Sequence, residues 1–194
     1  MSTAPAAPTG GTSTKPVKTF RHYWEDFPAG TVKTFGATLV TREAVLAFAQ
    51  QFDPQPFHLD EEAAQASLFG GLCASGWHTC AMTMRMMCDE YLLDSASLGS
   101  PGLDNIRWHK PVFPGDVLSL RHEILDARPM ASKPKVGLTR SSWTVFNQHS
   151  EMVMSMEGWG MFRRRHAALA DQTPPAATPD SAASTDSTDS PPAP

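Results

Sequence analysis

The stretch from residue 76 to about 93 constrains the fold most. Trp77, Cys80, Ala81, Met82, Met84, Met86, Met87, Tyr91 and Leu92 make it apolar on nearly every side. As a helix it would run ~26 Å, and a helix apolar all round belongs inside a core. The rest of the chain must then supply the walls of that core. His78, Arg85, Asp89 and Glu90 interrupt the run, so it does not read as a membrane span.

The walls read as strands. Residues 31–40 alternate and are rich in β-branched side chains. After the apolar helix, residues 94–102 read as a loop. Four strand-like stretches then follow, at 103–108, 117–127, 136–146 and 151–162. The turns Pro114-Gly115-Asp116 and Asn147-Gln148-His149-Ser150 separate some of them. One strand, then helices, then four consecutive strands predicts an α+β domain with an antiparallel sheet wrapped around the central helix. No repeat of solenoid length is present.

The 194 residues suit one ordinary domain. Residues 1–16 are Ala, Pro, Ser, Thr and Gly with few large apolar side chains, and 167–194 repeat that composition with added Asp. Neither tail buries enough surface to offset the entropy of ordering, so both are expected to be disordered. The folded unit is expected at 20–165. All 16 Lys and Arg precede residue 167, and four of the 20 acidic residues lie beyond it. The chain before residue 167 is therefore formally neutral, which argues against a nucleic-acid partner. Cys73, Cys80 and Cys88 are odd in number and form no CxxC, so they read as buried thiols rather than a disulfide framework or metal site. The N-terminus has no charged region followed by an apolar one. No signal peptide and no membrane partner are expected, and the expected compartment is the cytoplasm.

The chemistry-bearing residues flank the start of the long helix. Thr41 is placed to cap a helix whose apolar face holds Ala44, Val45, Phe48, Ala49 and Phe52. That helix must stop near Phe52, because Pro54 lacks a donor and disfavours helical geometry at Asp53. Asp53 is thus delivered at a helix end, and a Pro-stiffened, extended segment is expected to carry His58. Residues 60–66 suit a short helix. Gly70 and Gly71 form a turn, and Ser75-Gly76 opens the long helix. Each has a plainer role. Asp before Pro is a common turn former, His58 suits a structural histidine, and Gly76 suits close packing. His78, His109, His122 and His149 lack ligand spacing, so no metal is expected. Arg85 has Asp89 one turn on as its local partner, and Arg163-Arg164-Arg165 reads as a solvated chain end.

Together these residues resemble the MaoC-like dehydratases, relatives of the (R)-specific enoyl-CoA hydratases within the hotdog fold. That family carries Asp-x-Asn-Pro-x-His, a Phe-Gly turn, and His-Gly at the start of the central helix. The matching residues are Asp53-Pro54-Gln55-Pro56-Phe57-His58, Phe69-Gly70 and Ser75-Gly76. Glu25-Asp26-Phe27 with Gly30, the run from Pro111 to Asp116, and Asn147-Gln148 also look like family segments. The resemblance spans about residues 23 to 162. The chain departs from the motif at Gln55, where the family has Asn, and at Ser75, where it has His.

The resemblance implies a hydro-lyase acting on α,β-unsaturated acyl-CoA thioesters, of the kind used in fatty acid metabolism. Asp53 and His58 would form the catalytic acid/base pair. Gly76 would offer its backbone N–H to the thioester oxygen, with Ser75 and Gly71 as further substrate-binding residues. It also implies a homodimer joined sheet edge to sheet edge, and no cofactor beyond the coenzyme A of the substrate. Two other readings stay open at this point. One is a hotdog thioesterase, in which a carboxylate activates water against the carbonyl. The other is an acyl-CoA-binding module without turnover.

Overall fold

A computed structural model of the chain describes residues 19–165. The expected disordered tails, 1–16 and 167–194, lie outside the described residues.

The order of elements is β1 (Val32–Leu39), α1 (Arg42–Phe52), α2 (Pro56–Leu59), α3 (Glu61–Gln65), α4 (Gly76–Met87), β2 (Ser97–Trp108), β3 (Val117–Pro129), β4 (Val136–Phe146) and β5 (Met152–Arg163). The five strands form one antiparallel sheet in the order β1-β3-β4-β5-β2. β3, β4 and β5 are sequence neighbours and spatial neighbours, joined by short turns. β1 and β2 are the two edges. The core lies between the inner face of this sheet and α4. It is built from Leu118, Leu120, Val145, Val153 and Met154 on the strands and Met82, Met86 and Met87 on α4. This is the α+β architecture expected from the sequence.

Four expectations need correction. First, α4 is not enclosed on every side. His78, Thr79, Met82, Thr83, Met86 and Met87 are buried, whereas Trp77 and Met84 are 59% and 46% exposed. The sheet covers one side only, because a single five-stranded sheet curls round part of a helix. The α-helix also ends at Met87, about 18 Å from its start, and one π-helical turn (Cys88–Leu92) carries the chain on.

Second, β2 begins at Ser97, well inside the expected loop. Gly99, Ser100, Pro101 and Gly102 have loop chemistry, yet Ser97 pairs with Phe162, Gly99 with Met161 and Gly102 with Trp159. The pairing is irregular, with Gly99 at φ +97° and Gly102 at φ +154°. Cross-strand partners here override local propensity. Third, His58 stands on one turn of helix, α2, rather than on an extended segment. Pro56 occupies a position at the helix start, where its missing N–H costs nothing. Fourth, the basic chain end is held to the body. Arg165 pairs with Asp26 at 2.6 Å, and the Arg164 guanidinium lies 5.3 Å from the Trp24 ring centroid.

Other expectations hold. Thr41 caps α1 by accepting the Ala44 N–H at 3.2 Å. The Asp53 N–H closes the helix on the Ala49 carbonyl at 3.0 Å. Arg85 pairs with Asp89 at 2.7 Å on the exposed face of α4. The three cysteines are unpaired thiols, but only Cys73 is buried as expected; Cys80 and Cys88 are partly exposed.

Candidate active site

A cavity of about 430 Å³ opens at the start of α4. Asp53, Gln55, His58, Ser75 and Gly76 line it, together with Cys73, Trp77, Thr79, Trp108 and Lys110. Two elements bring Asp53 and His58 together. α1 ends at Asp53, and the Pro54-Gln55-Pro56 corner reverses the chain into α2, where the His58 N–H bonds the Gln55 carbonyl at 2.9 Å. His58 Nε2 then lies 3.5 Å from Asp53 Oδ2, with the imidazole buried and the carboxylate less so.

The tautomer of His58 follows from its partners. Its Nδ1 is 2.8 Å from the Cys73 carbonyl oxygen. A carbonyl only accepts, so Nδ1 carries the hydrogen and donates it. In the neutral ring Nε2 is therefore a bare lone pair, facing Asp53 and the cavity. Phe57 and Phe69 pack around the ring, with centroids 4.5 Å and 6.3 Å from it.

Asp53 is held in its charged form. Hydrogen bonding from the nearby Ser75 side chain is the largest influence on its pKa, and it lowers it. Partial burial acts in the opposite direction. Gln55 Nε2 donates to Oδ1 at 2.8 Å and, with the adjacent His58, adds to the lowering. The net result places the Asp53 carboxyl below the usual carboxylate range.

Ser75 is the N-cap of α4. Its Oγ accepts the Trp77 N–H at 3.2 Å. Gly76 follows at the first helical position, where the N–H has no intrahelical acceptor and the helix dipole is positive. The Trp108 indole crosses directly over Gly76. Its Nε1 donates to the Gly76 carbonyl at 2.9 Å, and a Cβ on residue 76 would sit 2.5 Å from the indole. Glycine is thus required here by packing, whatever the backbone N–H also does. Gly71 does not line the cavity. It lies in the turn beside Phe113, and the left-handed residue of that turn is Gly70, at φ +70°.

Sequence reasoning brought Asp53, His58, Ser75 and Gly76 to one place, and the structure adds three contributors. The Cys73 carbonyl orients His58, although the cysteine itself reads as core. Backbone acceptors leave no trace in side-chain spacing. Trp108 comes from the end of β2, 32 residues from Gly76, and no local pattern marks it. Gln55 was visible only as a departure from a motif, and it is a donor to Asp53. Among the described residues, no three His, Cys, Asp or Glu side chains gather as a metal centre would need. No helix there is long and apolar enough to cross a membrane.

The fold is the hotdog fold. A MaoC-like dehydratase from Rhodospirillum rubrum is 40% identical, with a TM-score of 0.68 over 74% of this chain and 98% of that one. The R-hydratase PhaJ1 of Pseudomonas aeruginosa shares the fold at 21% identity, with a TM-score of 0.60 over 73% of this chain and 86% of that one. The Bacillus subtilis protein YdeM is 29% identical over 69% of this chain and 93% of its own length. Residues 26–145 match the family described as MaoC like domain, and the chain belongs to that family.

Proposed function

We propose that this protein is a hydratase/dehydratase that adds or removes water across an α,β-unsaturated acyl-CoA thioester. One observation carries the reading: His58 Nε2 and Asp53 Oδ2 face each other at 3.5 Å inside the cavity that begins at Gly76. With the imidazole neutral, both atoms are acceptors and do not bond to each other. A water about 2.8 Å from both would donate one hydrogen to each, leaving an oxygen lone pair for the substrate.

Hydration then runs as follows. The water oxygen bonds to Cβ as one of its protons passes to the Asp53/His58 pair. The electron pair of the double bond moves toward the thioester oxygen. His58, sharing the same water, relays a proton to Cα, and the C–OH and C–H bonds form on one face. Dehydration is the reverse. The Gly76 N–H supports the developing oxyanion, and a donor so placed is worth roughly 10²–10³ in rate. Coenzyme A belongs to the substrate, and the chemistry needs no separate cofactor.

The assembly we assign is a homodimer. Among the described residues the outer edge of β2 is unpaired, and Leu98, Leu103, Trp77, Met84 and Trp108 are large apolar side chains exposed on β2 and the outer side of α4. Pairing two β2 edges would cover both features. The unpaired thiols suit a reducing compartment, so we place the protein in the cytoplasm.

The test is direct. Purified protein mixed with crotonyl-CoA and longer enoyl-CoAs should bleach the enoyl absorbance without releasing free thiol. Thiol release instead would point to a thioesterase. Tight binding with neither signal would leave only a binding module.

A further inference from the structure

The far end of α4 carries a second cavity, of about 220 Å³, between the helix and the inner face of the sheet. Met84, Met87, Ile124 and Phe162 give it largely apolar walls. Met84 stands about 12 Å along the helix axis from Gly76. No residue lines both this cavity and the one at the acid/base pair.

One polar group in its wall lacks a partner. His122 and Ser141 line the cavity and satisfy each other at 3.0 Å. Trp143, beside them, is 7% exposed, and its Nε1–H has no acceptor among the described residues. Burial raises the pKa of the neighbouring Tyr91 phenol and the indole works against it, yet the two do not meet with hydrogen-bond geometry. A buried donor left unsatisfied costs free energy, so native proteins rarely keep one without a use.

A charge stands nearby. His122 and Tyr91 also face a cleft of about 600 Å³ that reaches β1. Lys33 lines this cleft directly opposite His122 in the β1–β3 register, so the two side chains share the inner face of the sheet. The other charges of the cleft are taken. Asp26 pairs with Arg165, Glu25 accepts the Arg165 backbone N–H, and Arg21 pairs with Asp94. Lys33 has no carboxylate partner among the described residues. Burial lowers the pKa of His122 most, and the Lys33 charge adds to it.

We propose that the cavity is a second ligand site, for a small carboxylic acid with an apolar body. The body fills the cavity, and a carboxylate oxygen accepts the Trp143 N–H. The uncompensated Lys33 charge favours the anion over a neutral molecule of the same shape. An indole N–H only donates, so the group opposite it must be an acceptor. Apolar walls with a few placed polar groups are the usual make-up of a small-molecule site. In a low-dielectric interior the lysine charge is felt more strongly than it would be in water. The site does not depend on the hydratase reading.

The closing experiment titrates octanoate, with 1-octanol as its neutral counterpart, into the ¹⁵N-labelled full chain. The five tryptophans give five indole N–H signals, and Trp143→Phe identifies the one at stake. Octanoate should move the Trp143 signal saturably, while the signals of Trp77 and Trp108, at the active-site cavity, stay in place. By calorimetry, Trp143→Phe should weaken octanoate binding about tenfold, as the loss of a hydrogen bond to a charged group implies. Lys33 is exposed, so Lys33→Gln leaves the core untouched. It should weaken octanoate several-fold and leave octanol unchanged. A Trp143 signal that octanoate does not move, or shifts confined to Trp77 and Trp108, overturns the second site. Octanol bound as tightly as octanoate, or octanoate indifferent to Lys33→Gln, overturns its assignment to an acid.

Discussion

Two histidines of this protein are almost equally buried, at 5% exposure for His58 and 6% for His122, and they differ in nearly everything else. His58 stands at the start of α4, with one nitrogen fixed on a backbone carbonyl and the other turned to a carboxylate across a cavity. His122 stands on β3 near the other end of that helix, stacked between Tyr91 and Trp143 at 5.2 Å and 5.5 Å. Its Nε2 lies 3.0 Å from the Ser141 hydroxyl, and among the described residues no carboxylate is paired with it. Burial, with a smaller contribution from the Lys33 charge, pushes its pKa down to about 4. Burial alone therefore makes a neutral, packed ring. Chemistry needs the same burial together with a fixed tautomer and an ionised partner.

The largest test of this contrast is catalytic. Asp53→Asn and His58→Gln should each cost about 10²–10⁴ in kcat on enoyl-CoA, the usual contribution of a positioned acid or base. Circular dichroism should remain unchanged. His122→Gln should leave kcat within a few-fold. Equal losses at 58 and 122 would erase the distinction.

Next in size is the acid sensitivity conferred by His122. Its folded pKa lies near 4, below the ordinary value of 6.5. Below pH 6.5 the unfolded chain binds a proton that the folded chain refuses, so protonation favours unfolding. The stability at stake is full above pH 6.5 and is lost as pH falls toward 4, by up to roughly 3 kcal/mol. Thermal melts of wild type and His122→Gln from pH 7.5 to pH 4.5 measure it, and the variant should show the shallower decline.

Gly76→Ala should follow. The added methyl meets the Trp108 indole, so either the indole or the helix start must move. A loss of about tenfold to a hundredfold in kcat/KM is expected, as for a displaced oxyanion donor. Trp108→Ala in the same chain should recover part of it, because the obstruction and its target are in contact.

The smallest effect belongs to Ser141→Ala. It leaves a buried imidazole nitrogen without its partner and should destabilise by about 1–2 kcal/mol. Turnover should be unchanged. A drop in kcat there would mean that the two ends of the helix are coupled.

Much of this was legible before any coordinates. Pro54 had to stop α1 at Asp53, and it does. Thr41 had the chemistry of a cap, and the β4 boundaries agree with the reading of residues 136–146. Where the reading failed, tertiary partners outweighed local chemistry. Loop-forming Gly99, Pro101 and Gly102 joined a strand because β5 offered a partner.

Local rules acting along the chain were enough to determine the strand–helix–strand order and the placement of a carboxylate and an imidazole around a proline corner. Proline geometry, capping and periodicity depend only on near neighbours, so a linear sequence carries them in full. The tertiary structure alone decided that the Cys73 carbonyl fixes the His58 tautomer, that Trp108 covers Gly76, and that one face of α4 stays bare. Those contacts join residues 15 to 32 positions apart, and they exist only once the sheet and helices have packed.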